Sequence, residues 1–187
     1  MHSRRAAPHE AHEIPQHPAR AASTRPPDVR WRWRAFDALS VAELYAALAL
    51  RSAVFVVEQA CVFLDIDGYD VHAHHLLGFA DAGESAPELI AYLRLLAPGH
   101  KYAEPSIGRV VSAQSRRRLG LGRAVMREGL AKARRLYPAQ PIRIGAQEHL
   151  RTFYESFGFV VASPRYDEDG IPHIEMLLAP NPAIEGA

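Results

Sequence analysis

The stretch RRRLGLGR, residues 116–123, places three arginines and two glycines directly before an amphipathic helical pattern. A helix N-terminus presents unpaired backbone N–H groups and the positive end of the helix dipole, so cations clustered there are unfavourable unless an anion joins them. Glycines let the backbone close around a phosphate group, and arginines neutralise its charge. The stretch therefore predicts a phosphate-binding loop.

Three phosphate-binding patterns can be compared with this stretch. A nucleoside triphosphatase loop needs a Lys-Ser or Lys-Thr pair, and none follows Gly122. The dinucleotide pattern needs a third glycine directly after the first strand, where this chain has Val125 instead. The chain does satisfy Arg/Gln-x-x-Gly-x-Gly/Ala, at Arg117, Gly120 and Gly122. Alone, this short pattern is equally compatible with a basic helix cap that binds nothing.

The first half of the folded region is predicted from capping and hydrophobic periodicity. WRWRAF at 31–36 alternates as a half-buried edge strand does. Ser40 and Glu43 form a capping-box pattern at the start of a helix that continues through the apolar residues to 59. Two apolar runs within 74–97, separated by a connection rich in Gly, Ser and Pro, predict a hairpin.

The second half alternates strands with helices. SIGRVVSA precedes the arginines, and a helix follows with an apolar arc over 125–136. PIRIGA is the next strand, and HLRTFYESFGF is a helix that ends near Gly158. This order predicts neighbouring parallel strands joined by a right-handed crossover. The end of the chain, 160–178, predicts two strands around the Asp169–Gly170 turn, and the fold class is mixed α/β.

Composition limits the domain organisation and the function classes. With 187 residues, of which 48% are hydrophobic and 23% charged, we expect one folded domain at 31–180, between a disordered tail at 1–30 and a short tail at 181–187. The formal net charge of +1 disfavours nucleic-acid partners, and no apolar run is long enough for a membrane partner. The single cysteine, Cys61, excludes an intramolecular disulfide and fits a reducing cytoplasm.

The order of these segments resembles the GNAT superfamily of acyl-CoA-dependent N-acetyltransferases. The helix at 150–159 reads L-x-x-F-Y-x-x-x-G-F and is similar to a helix that recurs in that superfamily. A finer resemblance, to the ElaA-like branch, extends from about Trp31 to about Leu178. It rests on AVFVVEQ, on DIDGYD, on HLLG, on IGRV and on YDEDGIPHIEM, in that order along the chain.

This resemblance implies a GNAT-like fold and acetyl-CoA as cosubstrate, with no metal. Helices would flank a central mixed, mostly antiparallel sheet that splays between two parallel strands, SIGRVVS and PIRIGA. Acetyl-CoA would place its pantetheine arm in that gap and its pyrophosphate on the arginine and glycine loop. The implied cofactor-binding residues are Val110, Val111, Ser112, Arg117, Arg118, Leu119, Gly120, Leu121, Gly122 and Phe153.

The implied reaction is direct transfer of an acetyl group to a primary amine of a small molecule or peptide. Such an amine, with a pKa of about 10.4, is mostly protonated at neutral pH, so a base should help. Glu58 could take this proton or bind the ammonium group, or could be a solvated helix-end carboxylate. A backbone N–H of Val110 or Ser112 could stabilise the oxyanion. Tyr154 matches the family's tyrosine acid for the CoA thiolate, although a packed tyrosine fits the same pattern.

On the acceptor side, the acidic segment at 65–70 would attract a cationic amine. This segment also resembles part of a calcium loop but lacks the later glutamate, and the histidines within 72–75 lack a Cys or Glu partner pattern for zinc. His173 is a second choice for acid–base chemistry. The expected substrate residues are Phe55, Asp67, His75 and His173.

Two other function classes remain open at this point. One is a CoA-sensing or partner-binding module with the same fold but without acceptor chemistry. The other is a nucleic-acid-binding domain built on RRRLGLGR and KARR, which the near-neutral charge and the lack of aromatic residues beside those arginines disfavour. The resemblance is also compatible with a homodimer.

Overall fold

The computed structural model describes residues 28–80 and 87–180. Outside the described residues lie 1–27 of the predicted tail at 1–30, the predicted tail at 181–187, and most of the connection within the predicted hairpin. The first strand begins at Val29, two residues before the predicted start of the domain, because it pairs with the second strand from Val29 onward.

The described residues form eight strands and three α-helices. The strands are β1 (Val29–Ala35), β2 (Ala73–Ala80), β3 (Glu88–Leu96), β4 (Ser106–Ser112), β5 (Ile142–Gln147), β6 (Val160–Val161), β7 (Tyr166–Glu168) and β8 (Ile171–Leu178). The helices are α1 (Val41–Arg51), α2 (Leu121–Leu136) and α3 (Arg151–Glu155). No helix within these ranges is long and apolar enough to cross a membrane.

The strands form a single sheet in the order β1-β2-β3-β4-β5-β8-β6, with β7 also paired to β8. The one parallel pair is β4 and β5, and all other neighbours are antiparallel. Strands β4 and β5 pair only where Ser106 lies opposite Arg143, and they diverge beyond that point. The splayed mixed sheet that the family resemblance implies is therefore confirmed, as is the hairpin of β2 and β3.

Helix α1 begins as its capping box predicts. The Ser40 hydroxyl accepts a hydrogen bond from the backbone N–H of Glu43 at 3.1 Å, and the Glu43 carboxylate accepts one from the Ser40 N–H at 3.0 Å. The α-helical hydrogen bonds end at Arg51, and a π-helical segment continues over Ser52–Glu58. The wider π turn is uncommon and often lies at functional sites. Here it carries Phe55 and Glu58 toward the gap in the sheet.

Helix α2 covers one face of the sheet with the predicted apolar arc. Val125, Met126 and Ala133 are fully buried against it. At Gly129 a Cβ atom would lie 2.5 Å from Leu93 Cδ1, so glycine permits close contact between helix and sheet. Leu136 was predicted on the same arc, but its side chain is 40% exposed because the helix ends there.

Candidate active site

A cleft of about 670 Å³ opens where β4 and β5 diverge. Side chains and backbone from the π-helical segment after α1, from β4, α2, β5 and α3, and from the β7–β8 hairpin line it. It brings together ten of the predicted site residues from distant parts of the sequence. These are Phe55, Glu58, Val110, Val111, Ser112, Arg117, Gly122, Phe153, Tyr154 and His173.

Four predicted cofactor residues lie beside the cleft rather than in its lining. Gly120 is the residue before α2 and has a φ of +75°, a left-handed conformation that favours glycine. Leu121 points into the core and is 3% exposed. Arg118 and Leu119 belong to the connecting loop, where the exposed Arg118 has no hydrogen bond or ion pair with any described residue. These residues shape the loop, and Arg118 supplies an uncommitted charge.

The N-terminus of α2 is left without a cap. No side chain bonds to the first backbone N–H groups of this helix, and its first turn contains no acidic residue. Helix α1 differs, since its capping box satisfies the backbone N–H groups of Ser40 and Glu43. The free N–H groups and the dipole of α2 therefore face the Arg117 and Gly122 end of the cleft, where an anion would be stabilised.

Two residues that the sequence assigned to different roles form an ion pair across the cleft. The Arg117 guanidinium binds the Glu58 carboxylate in a bidentate manner, with Nη2 2.8 Å from Oε2 and Nη1 bonded to Oε1. Their side chains are 40% and 26% exposed, respectively. The pair connects the predicted phosphate loop to the end of the π-helical segment.

A bulge in β4 opens the backbone on the cleft side. The register between β3 and β4 shifts between Tyr92 and Arg94, and Arg109 lies in the bulge with a φ of +51°. A non-glycine residue in this conformation is strained unless its surroundings hold it. Beyond Ser106 the edge of β4 that faces β5 has no strand partner, so backbone groups near Val110 are available to a ligand.

Tyr154 presents an unpaired hydroxyl to the cleft. Its side chain is 7% exposed, and its ring packs edge-on against Phe153 and Phe159. The hydroxyl has no hydrogen-bond partner among residues 28–80 and 87–180, although Tyr154 lines the cleft. Burial raises the pKa of Tyr154 to about 12, so the phenol is protonated at neutral pH.

The acidic segment is committed to arginines. We call this cluster the Arg/Asp network: it comprises Arg51, Arg94, Arg109, Asp65, Asp67 and Asp70. Arg94 contacts both oxygens of Asp67 at 2.6 Å, and Arg109 lies 3.0 Å from the same carboxylate. Burial alone would raise the pKa of Asp67, but the hydrogen bonds and charge of Arg94 outweigh this effect and lower it to about 2.

The network changes the expected acceptor side. Asp67 does not line the cleft, and three arginines balance the three carboxylates, so this segment offers no free negative charge to an amine. His75 also does not line the cleft. It is 1% exposed, with Nδ1 2.7 Å from the Tyr92 hydroxyl and Nε2 3.0 Å from the Asp70 carbonyl. Within the described residues, no group of three or more His, Cys, Asp or Glu side chains could hold a metal ion.

Sequence reasoning missed the arginines of this network and the carboxylate of Glu168, which lines the cleft beside His173. A signal for two of the arginines was present. Arg51 and Arg94 interrupt the apolar runs LALRSAV and AYLRLLA. A charge within a buried run needs a partner of opposite sign, and DIDGYD is the nearest acidic cluster.

Comparisons with known proteins agree with this geometry. A family model described as an acetyltransferase (GNAT) domain matches residues 86–179. A UPF0039 protein from Synechocystis is 41% identical over 150 residues, covering 80% of this chain and 95% of that protein. Among solved structures, an acyl-CoA N-acyltransferase from Pseudomonas aeruginosa has a TM-score of 0.75 and 42% identity, covering 81% of this chain and 99% of that one. Escherichia coli ElaA has a TM-score of 0.73 and 40% identity, covering 80% and 99%.

Proposed function

Since the chain belongs to the GNAT acetyltransferase family and is an acyltransferase, we propose that it moves an acetyl group from acetyl-CoA to a primary amine of a small molecule or peptide. The observation that carries this proposal is the cleft between β4 and β5. One end of this cleft is an uncapped helix N-terminus beside Arg117, and its wall holds the unpartnered hydroxyl of Tyr154.

Acetyl-CoA fits this arrangement in two parts. The pyrophosphate would accept hydrogen bonds from the first N–H groups of α2 and from Arg117, with Arg118 adding positive charge. The pantetheine arm would lie along β4 and pair with the free backbone edge near Val110 and Ser112. Its thioester would then lie between the bulge at Arg109 and the ring of Tyr154.

In the proposed reaction a neutral amine attacks the thioester carbonyl carbon. The oxyanion that forms accepts a hydrogen bond from a backbone N–H of β4, at Val110 or Ser112. The C–S bond then breaks, and the thiolate departs toward the hydroxyl of Tyr154. The proton that the thiolate gains balances the one that the attacking nitrogen loses on becoming an amide.

The pKa of Tyr154 defines how it acts as the acid. Its pKa of about 12 lies above the thiol value of about 8.5, so complete proton transfer from the phenol alone is uphill by roughly 5 kcal/mol. We therefore assign Tyr154 as a hydrogen-bond donor to the leaving sulfur. The Tyr154 hydroxyl gives its proton to sulfur only as it receives another proton from the ammonium nitrogen of the tetrahedral adduct.

We assign Glu58 to the acceptor side, as a carboxylate that receives the cationic amine. Arg117 already holds this carboxylate through two parallel contacts, which supports its use as a cation site. When the pyrophosphate engages Arg117, Glu58 would exchange the guanidinium for the ammonium group of the acceptor. Glu58→Gln should then raise the KM for the amine at saturating acetyl-CoA.

Calorimetry with acetyl-CoA, with ATP for comparison, tests the cofactor assignment. Micromolar binding of acetyl-CoA, at least tenfold tighter than ATP, is expected. Absence of binding at millimolar acetyl-CoA would overturn the proposal. Binding without turnover for any primary amine would instead support a CoA-sensing module.

Tyr154→Phe tests the chemistry. We expect kcat to fall at least about tenfold with acetyl-CoA affinity unchanged, because the ring still packs while the donor is lost. Tyr45→Phe is the matched control, since Tyr45 is 75% exposed on α1 and away from the cleft. A kcat within twofold of wild type in Tyr154→Phe would remove Tyr154 from the mechanism.

A further inference from the structure

The β7–β8 hairpin supplies four residues to the cleft wall, namely Glu168, Asp169, Ile171 and His173. We propose that the imidazole of His173, oriented by the Ile171 carbonyl and by Glu168, takes the proton from the acceptor amine. This inference rests on the proposed function and identifies a base distinct from Glu58, whose carboxylate that function uses to bind the acceptor ammonium group.

The hydrogen bond at Nδ1 fixes the tautomer of His173. Nδ1 lies 2.8 Å from the backbone oxygen of Ile171, and a carbonyl oxygen can only accept. The hydrogen of the neutral ring is therefore on Nδ1, and the lone pair is on Nε2. Nε2 lies 4.0 Å from the nearer carboxylate oxygen of Glu168. This is too long for a hydrogen bond, so the lone pair stays free, yet close enough for Glu168 to stabilise a positive ring.

The ring is held in place by its neighbours. It stacks on Tyr166 with centroids 5.9 Å apart and planes 29° from parallel, and the side chain is 13% exposed. Tyr166 and Glu168 lie beside it on β7, and Gln147 lies opposite it on β5. Glu175, two residues further along β8, is bound by Arg143. Cys61 also lines the cleft, and its thiol donates to the Asp169 carbonyl. Glu168 is the carboxylate among these that has no arginine or lysine partner in the described residues.

Other basic groups in the cleft are less suitable. Glu58 is already assigned to binding the ammonium group. The exposed His149 has no hydrogen bond, ion pair or ring contact with any residue of 28–80 and 87–180 that would hold its ring. A carboxylate such as that of Glu168 is intrinsically a weaker base than an imidazole. The geometry therefore assigns proton acceptance to His173 and makes Glu168 a positioning residue.

The proton balance is complete without another reactant. The ammonium group transfers one proton to Nε2, giving a neutral amine and an imidazolium. The amine forms the C–N bond, the C–S bond breaks, and the second proton passes from nitrogen to sulfur through Tyr154. The imidazolium returns its proton to water after the products leave. Each turnover thus releases one amide, one free thiol and one proton.

Nitrogen-15 NMR of the histidine rings tests the tautomer without any acceptor. The signals lost in His173→Gln identify the ring, and the Nδ1–H form is expected to dominate when it is neutral. The Nδ1–H form should persist in Glu168→Gln, because the Ile171 carbonyl fixes the tautomer. A dominant Nε2–H form of the neutral ring would overturn the assignment.

Turnover tests the chemical role. Thiol release from acetyl-CoA is measured with cadaverine, phenethylamine and Nα-acetyl-lysine amide, and with water alone as acceptor. His173→Gln should lower kcat at least about tenfold and remove the acidic limb of the pH profile, with acetyl-CoA affinity unchanged. His100→Gln is the control, since His100 is exposed and stacks on His72 outside the cleft. An unchanged pH limb and a kcat within twofold would overturn the inference, whereas failure of the wild type to bind acetyl-CoA would overturn the proposed function instead.

Discussion

Arg117 is bound by Glu58, so in the proposed binding mode acetyl-CoA competes with a carboxylate for this guanidinium. The variant Glu58→Gln keeps the size of the side chain and removes its charge. It leaves the loop, the N-terminus of α2 and Arg117 itself unchanged. If the pyrophosphate uses Arg117, acetyl-CoA should bind more tightly to this variant than to the wild type.

The magnitude follows from the exposure of the pair. With side chains 40% and 26% exposed, solvent screens the attraction, and exposed pairs contribute about 0.2 to 1 kcal/mol. The bidentate geometry favours the upper half of this range. Because about 1.4 kcal/mol corresponds to a tenfold change in Kd, we expect roughly two- to fivefold tighter binding.

Calorimetry at two salt concentrations measures this effect. The gain should shrink as salt rises, because the competing ion pair is itself screened. Glu155→Gln is the matched control: it removes one carboxylate from an exposed pair, with Arg151 on α3, outside the cleft lining. Unchanged or weaker binding in Glu58→Gln, relative to this control, would refute competition between the carboxylate and the pyrophosphate for Arg117.

Two further predictions concern the loop and the Arg/Asp network. Gly122→Glu should weaken acetyl-CoA binding at least about tenfold, because it places a carboxylate beside the pyrophosphate. Gly122→Ala should bind acetyl-CoA almost normally, because its Cβ would meet only the Phe153 ring, at 3.8 Å. Equal affinities of the two variants in calorimetry would contradict this prediction. Arg94 lowers the pKa of Asp67 to about 2 from an ordinary 3.8, so this stabilisation is complete above about pH 4 and is lost as the pH falls toward 2. Over that interval, the free energy of unfolding measured in urea should change with pH by roughly 2 kcal/mol less in Asp67→Asn than in the wild type. An equal change in both proteins would contradict the lowered pKa.

Local patterns were sufficient for most of the elements. The capping box at Ser40, the edge strand at Trp31 and the turn at Asp169–Gly170 depend on residues close together in the sequence, and the structure confirms each of them. The splay between β4 and β5 has no such local signal. It was predicted from the order of several separated motifs that the GNAT family shares, and the sheet confirms it.

Contacts between distant segments could not be predicted in this way. Glu58 and Arg117 are 59 residues apart, and neither residue type nor spacing indicates that their charges meet. The acidic segment was interpreted as a free attractant for an amine, because the arginines that neutralise it come from α1, β3 and β4. The positive φ of Arg109 follows from the bulge, which depends on how two strands pair.

The Arg/Asp network also divides the segment before β2 into anchored and solvent-facing positions. Asp65 and Asp67 turn inward to Arg109 and so connect this segment to the bulge in β4. The alternate side chains face solvent, with exposures of 96% at Val62, 76% at Leu64 and 57% at Ile66. Substitutions at these outward positions leave the ionic anchor intact. The anchor, and with it the bulged strand β4, is therefore expected to tolerate sequence change along the outward side of this segment.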